Sequence, residues 1–569
     1  MKRIYFTALA FSFVSAPLQA ETLHSCICSP QECKVLLAAG AEVNVRDARG
    51  NTPLHRCLSA EVCRLLIAAG ADVNARSNSG ATPLHGCYDA EIAKQLIAAG
   101  ADANALDHLG STPLHECNDS GLCKVLLEAG AKVDARDECG HTPLHLVDDA
   151  DTVQLLIAAG ADINATNNYG ASVLYSASVR GAGDAVRILL EKGAKAENLN
   201  DLLQEVCNMG HPAVARLLIQ YGADVQTLDK DQNTLLHYAC GHPNYRNSVP
   251  GLAEPRRELI RLLRQNGCSL NARNKYGNTP LLTACSTEGH AECVEELLNA
   301  GADARAVGCY LHNAGGGVGA EQIEKEAEAA TALHLAAWNK AFDCIPLLLA
   351  AGADAGAVDG KGHTAAELCA EAADEDAEEA MSLLEGSSAE QLMQYALEQD
   401  NVAMVRLMHR RGIDISLKLN DNQDTPLHGA SSVEMVQFLI DAGADVNAEN
   451  GKGQAPLSHA VDPEVVSMLL SHGANVNDED AFHNTPLNHF VCRRSFELVE
   501  KLLEAGAELN PQNAMPPLHV ACARGHVAMV KYLLDRGADP LLKSYQGKTA
   551  LDYAKEYRQK EIIKLLENK

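Results

Sequence analysis

The side chains with the widest chemical repertoire in this chain are nineteen cysteines and twenty-two histidines. Cys26-Ile27-Cys28 is the tightest cysteine pair, but no second pair stands at finger-type spacing with histidines, so no structural zinc is expected. Gly315-Gly316-Gly317-Val318-Gly319 lacks the Lys and Ser/Thr that complete a phosphate-cradling loop, and reads as a flexible connection. Asp374, Glu375, Asp376, Glu378 and Glu379 crowd together without the Asp-x-Asn-x-Asp-Gly order of a calcium loop, which leaves a solvated helix face. Nucleophile elbow, kinase signature and zinc-protease helix are all missing, and no non-repeating stretch is long enough for a catalytic domain. The expectation is a chain that is not an enzyme and needs no cofactor or metal.

The elements around these residues belong to thin layers. The composition is 47% hydrophobic but only 4% aromatic, with Trp338 the one tryptophan, which suits stacked helices better than one thick core. Residues 1–20 read as a secretory signal: Lys2 and Arg3, an apolar run from Ile4 to Ala16 too short to span a bilayer, and a cleavage site at Leu18-Gln19-Ala20. The mature chain is then expected to begin at Glu21 and to act in the periplasm or outside the cell, without membrane insertion after cleavage. The formal charge of −28 argues against nucleic-acid and anionic-membrane binding, and favours partners with basic patches.

A thirty-residue period organises the N-terminal part. Thr52-Pro53-Leu54-His55 recurs at Thr82, Thr112 and Thr142, and each copy is followed by a Leu-rich stretch and Ala-Gly-Ala, as at Ala69-Gly70-Ala71. Thr52 suits a helix N-cap through its hydroxyl, Pro53 the first helical position, and Gly70 the left-handed end of a second helix over Glu61 to Ala69. One such element cannot bury its apolar face alone, so neighbours must stack. At Thr425-Pro426-Leu427-His428 and at Pro517-Leu518-His519-Val520-Ala521 the pattern returns. On these residues the chain resembles the ankyrin-repeat family, specifically exported, bacterial-type members, over nearly all of its length. The resemblance implies an all-α ankyrin-repeat solenoid of about 16–17 helix-turn-helix repeats with projecting β-turn fingers. It also implies that His55, His85, His115, His145, His237, His334, His428 and His519 are structural, hydrogen-bonding within their turns, and that His211, His290 and His526 are structural too.

The expected organisation is an N-terminal array over 21–362, with irregular insertions at 241–257 and 308–330. A degenerate acidic repeat at 363–388 marks a bend, and a C-terminal array with its cap covers 389–569. The early repeats are three residues shorter than the usual length of about 33, and the loss falls between Cys57 and Glu61. Cysteines flank that cut as Cys57 with Cys63 and Cys117 with Cys123, with Cys26 and Cys33 similar in the first cap and Cys285 with Cys293 a weaker counterpart. In an exported chain these pairs are expected to form disulfides that staple a shortened hairpin. Cys87 opposes this, because it faces Ala93 and has no partner. The competing reading is a small core residue.

The resemblance implies a protein partner bound on the concave side, through finger tips and the first helices. The tips present Arg49, Asn78, His108, Leu109, Asn168 and Tyr169, and the irregular segments add Tyr245 and Tyr310. Arg49, Leu109 and Tyr169 lead this set, because they vary while the frame repeats. The expected function is therefore a non-catalytic interaction scaffold. A secreted effector that binds host proteins, or a thiol-based redox or metal-buffering protein, are its rivals.

Overall fold

A histidine, more than any other residue, joins one repeat to the next. In the computed structural model, which describes residues 23–24, 29–196, 198–241, 253–286, 290–309, 329–370 and 375–567, the Thr52 N–H donates to His55 Nδ1 at 3.0 Å. The Thr52 hydroxyl lies 2.9 Å from the same nitrogen, and His55 Nε2 reaches the carbonyl of Ala81 in the following repeat at 3.0 Å. The threonine side chain and the histidine thus close a reciprocal capping box at the helix start, with the hydroxyl also set against the imidazole. Where Leu282 replaces the histidine, only the threonine half of the box remains, with the Leu282 N–H donating to Thr279 Oγ1 at 3.4 Å. The imidazole bridge recurs at His85, His115, His145, His237, His334 and His428. Because Nδ1 accepts an amide proton, each of these rings is neutral with its own proton on Nε2.

The chain divides into two bodies. One runs to Leu228 and includes Arg261–Cys268; the other comprises Asp229–Ile260 and Ser269–Lys569. Each is a stack of paired helices, and the fold is all-α. Among the described residues the one sheet is an antiparallel pair, Val307–Cys309 with Ala329–Thr331, at the two ends of the irregular stretch 308–330. Residues 363–388 lie inside the second body, where Ala365–Ala370 and Glu375–Leu384 are helical.

Second helices follow the apolar spacing. Ala60–Ala68 buries Val62, Cys63 and Leu66; Asp89, Asp119 and Asp149 cap the starts of Ala90–Ala98, Ser120–Glu128 and Ala150–Ala158. Gly70, at φ +88°, ends the first of these in the left-handed region. The three-residue deficit falls on the first helix. It shrinks to a single turn at Pro53–Arg56 and Pro143–Leu146, whereas Val173–Val179 and Pro517–Ala523 keep seven residues. The shortened turns leave carbonyls to satisfy, and the next full-length repeat supplies the donors. Arg180 Nη1 donates to the carbonyl of His145 at 2.6 Å, and Arg493 Nη1 to that of Ala460 at 2.9 Å.

Fingers are tied by asparagines that recur in the sequence pattern but are given no role by it. Asn74 Nδ2 donates to the Gly100 carbonyl at 2.9 Å, and its Oδ1 accepts the Asp102 N–H at 2.9 Å. Asn104 and Asn447 repeat the bridge. Their recurrence at one place in each finger is visible in sequence, but the bond to the next repeat depends on how the repeats stack.

Candidate functional site

The finger tips separate into structural and outward-facing residues. The Asn78 N–H donates to the Arg49 carbonyl at 2.9 Å, the His108 N–H to that of Ser79 at 2.8 Å, and the Asn168 N–H to that of Cys139 at 2.9 Å. The side-chain amides of Asn78 and Asn168 also donate, to Ala48 and Glu138, so both hold one finger against the previous one. Arg49 is exposed, Leu109 is 65% exposed and Tyr169 is 77% exposed. Tyr245, Tyr310 and Cys26 lie outside the described residues.

Tyr169 does more than protrude. In the first body it borders a groove of about 770 Å³ between its own finger, helix Val173–Val179 and helix Leu199–Met209. Tyr175 and Leu174 form the apolar wall, Asp201 and Glu205 the acidic one, and Lys195 also lines the groove. Sequence reasoning missed Tyr175. Its signal was there: Ser172-Val173-Leu174-Tyr175 stands where other repeats carry Thr-Pro-Leu-His, so an aromatic replaces the bridging histidine.

All described cysteines are free thiols. The structure does bring the expected pairs together: the thiols of Cys57 and Cys63 hydrogen-bond to each other, as do those of Cys117 and Cys123. The bond from Cys63 lowers the Cys57 thiol and the same bond raises Cys63, so Cys57 is the more acidic member. Cys33 is buried. Cys57, Cys87 and Cys117 share a second role, with Sγ donating to the carbonyl of Ser59, Asp89 and Asp119 at 3.2, 3.2 and 3.3 Å. This accounts for the cysteine at Cys87, where no second thiol faces it. Cys293 pairs with Cys240 of the preceding repeat rather than with Cys285 of its own.

Comparison with known proteins agrees with this geometry. Models described as ankyrin repeats match residues 23–107, 86–166, 114–201, 203–246, 252–359, 367–450, 392–480, 428–513 and 487–569. The chain is 25% identical over 389 residues to the E3 ubiquitin-protein ligase KEG of Arabidopsis thaliana, covering 67% of this chain and 19% of that protein. It is 32% identical over 234 residues to ankyrin repeat and SOCS box protein 16 of Mus musculus, and 31% over 285 residues to its Homo sapiens counterpart. Those matches cover 35% and 49% of this chain, and 47% and 48% of the relatives. The chain thus spans less than half the length of each. Among the described residues no helix is long and apolar enough to cross a membrane.

Proposed function

Because the chain belongs to the ankyrin-repeat family, we propose that it is an exported, non-catalytic scaffold that binds a protein partner in the groove beside Tyr169. The groove carries this reading. Two exposed tyrosines beside Asp201 and Glu205 suit a partner segment with an apolar side chain next to a basic one, and the charge of −28 favours the same partner. Export rests on Lys2, Arg3, the apolar run to Ala16 and the site at Ala20. The ligase activity in the plant relative's name is not carried over, because the match covers 19% of that protein.

The test compares partner capture by tagged full-length protein and by Tyr169→Ala and Asp201→Asn variants, from envelope and from medium separately. Each variant is expected to lose at least about tenfold in affinity for one defined partner, while Tyr545→Ala, in the other body, keeps it. Equal binding by all forms would remove the groove from the reading. A recovered chain that retains residues 1–20 would remove the export.

Export also makes a covalent reading of the thiol pairs consistent. Oxidation by a compartment's disulfide-exchange catalyst would join Cys57 to Cys63 and Cys117 to Cys123, with two electrons and two protons passing to that oxidant in each case. Thiol titration of exported, unfolded, unreduced protein is then expected to give four fewer thiols than the nineteen cysteines. Nineteen would rule the staples out.

A further inference from the structure

The histidines that follow glycine in the inter-helix turn are not all alike. His211 Nε2 lies 2.9 Å from the carbonyl of Val179, and His526 Nδ1 lies 3.2 Å from that of Val491, each fastening its repeat to the one before. His290 holds the same place, is 7% exposed, and its Nδ1 has no hydrogen-bond partner. It stands beside Glu292 and Cys293 instead: one donor atom from each of the three lies within 4.8 Å of the other two. The sister repeats carry no such set. Ala213 and Val214 occupy the matching places after His211, and Ala528 and Met529 after His526.

A fourth donor comes from the preceding repeat. Cys240 follows helix Leu235–Ala239, its thiol lies beside that of Cys293, and both cysteines are fully buried. Arg256, only 5% exposed, donates to the carbonyl of Ala239 at 2.6 Å, and the Cys293 thiol donates to the same carbonyl at 3.9 Å.

We propose that Cys240, His290, Glu292 and Cys293 form a site for one zinc-class divalent cation, which would clamp the repeat that carries the 241–257 insertion to the repeat that follows it. Two sulfurs, an imidazole nitrogen and a carboxylate oxygen suit a borderline-soft tetrahedral ion and not magnesium or calcium. Bonds of about 2.0–2.3 Å place tetrahedral ligands about 3.5 Å apart, so His290, Glu292 and Cys293, already within 4.8 Å of one another, need only a small contraction, and Cys240 would close the set from the preceding repeat. Binding releases the two thiol protons to solvent. Two thiolates and a carboxylate around a divalent ion leave one negative charge, which Arg256 offsets. The other three-donor group, Asp137, Cys139 and His141, has no orphaned atom of this kind. The Asp137 carboxylate already accepts the His141 N–H at 2.7 Å and pairs with His141 Nδ1 at 3.1 Å.

Full-length protein, reduced and stripped of metal, is titrated with cobalt(II) and then with zinc against a chromophoric chelator. One equivalent of cobalt with a thiolate charge-transfer band, displaced by one equivalent of zinc, is expected. Cys240→Ser and Cys293→Ser should each lower the band, whereas Cys139→Ser and Cys522→Ser should leave it unchanged. Should a cysteine variant fail to fold by circular dichroism, the half-buried Glu292 decides. Glu292→Gln should keep the band but bind cobalt more than about tenfold less tightly, a loss seen even when only a ligand's outer partner is removed. No charge-transfer band in the reduced wild type, a band indifferent to Cys293→Ser in folded protein, or cobalt affinity unchanged in Glu292→Gln would each overturn the site. A Cys240–Cys293 disulfide that persists under the reducing conditions would do the same.

Discussion

Lowering the pH from about 7 to about 4.5 is expected to bring down the urea midpoint of the full-length protein before most of its carboxylates titrate. The cause is the bridging imidazoles. Each accepts the Thr N–H on Nδ1 and donates from Nε2 to the next repeat, so protonation would set a donor against a donor. Burial lowers His145 from 6.5 to about 4, with the nearby His141 and Arg136 adding to the shift and the Ala171 carbonyl and Asp137 opposing it. His55, His115, His334 and His428 move the same way, and burial is the leading cause in each.

A histidine whose folded value lies below its unfolded value binds more protons when unfolded. Its stabilisation is therefore complete above about 6.5, and is lost as the pH falls toward the folded value. His145 alone accounts for roughly 2–3 kcal/mol at pH about 4.5, and the other bridges add to it. The lowered carboxylates, Asp47, Asp229, Asp424 and Asp480, contribute only further down, from about pH 4. Urea melts at half-unit pH steps check the order of events. A midpoint that stays flat between about 6.5 and 4.5 and drops only below about 4 would show that the imidazoles are not what fails.

Those bridges also show what a sequence can and cannot disclose. Thr-Pro-Leu-His, Gly70 and the Leu-rich stretches disclosed the helix pairs, because each acts through its own backbone neighbours. The role of His55 within its turn was legible for the same reason. Its reach to Ala81 was not, since that bond depends on how two repeats stack. Arg180 and Arg493 were invisible for a related reason: each serves a carbonyl of the preceding, shortened repeat. At the groove, Tyr169 could be read as a variable finger tip. Tyr175 could not, because a residue in a first helix becomes a site only when a finger and a neighbouring helix wall it in. Motif spacing likewise failed for Cys240 and Cys293, whose separation in sequence is set by an insertion and whose proximity is set by stacking.

Phe490→Ala is expected to cost about 3–5 kcal/mol, the range for emptying a buried aromatic site. Phe490 is fully buried and occupies a place that carries Ala239, Ala284, Ala336 and Ala521 in other repeats. Its helix, Pro486–Arg493, packs against Pro456–Ser458, Phe496–Glu504 and Pro517–Ala523. Arg493, whose guanidinium lies 5.8 Å from the Phe490 ring centroid, donates to the carbonyls of His459 and Ala460 and so fixes the spacing to the shortened repeat. With that spacing held, neighbouring helices cannot close on the vacated volume, which places the loss toward the upper end of the range. A stacked array transmits such a loss only to adjoining repeats. The C-terminal repeats should therefore unfold at lower urea than the residue 52–170 repeats, and native-state hydrogen exchange should show protection falling in Pro486–Ala523 but not in Ala60–Ala158. Exchange that accelerates equally in both stretches would mean that the bodies unfold as one, and the nearest-neighbour account of this array would fail.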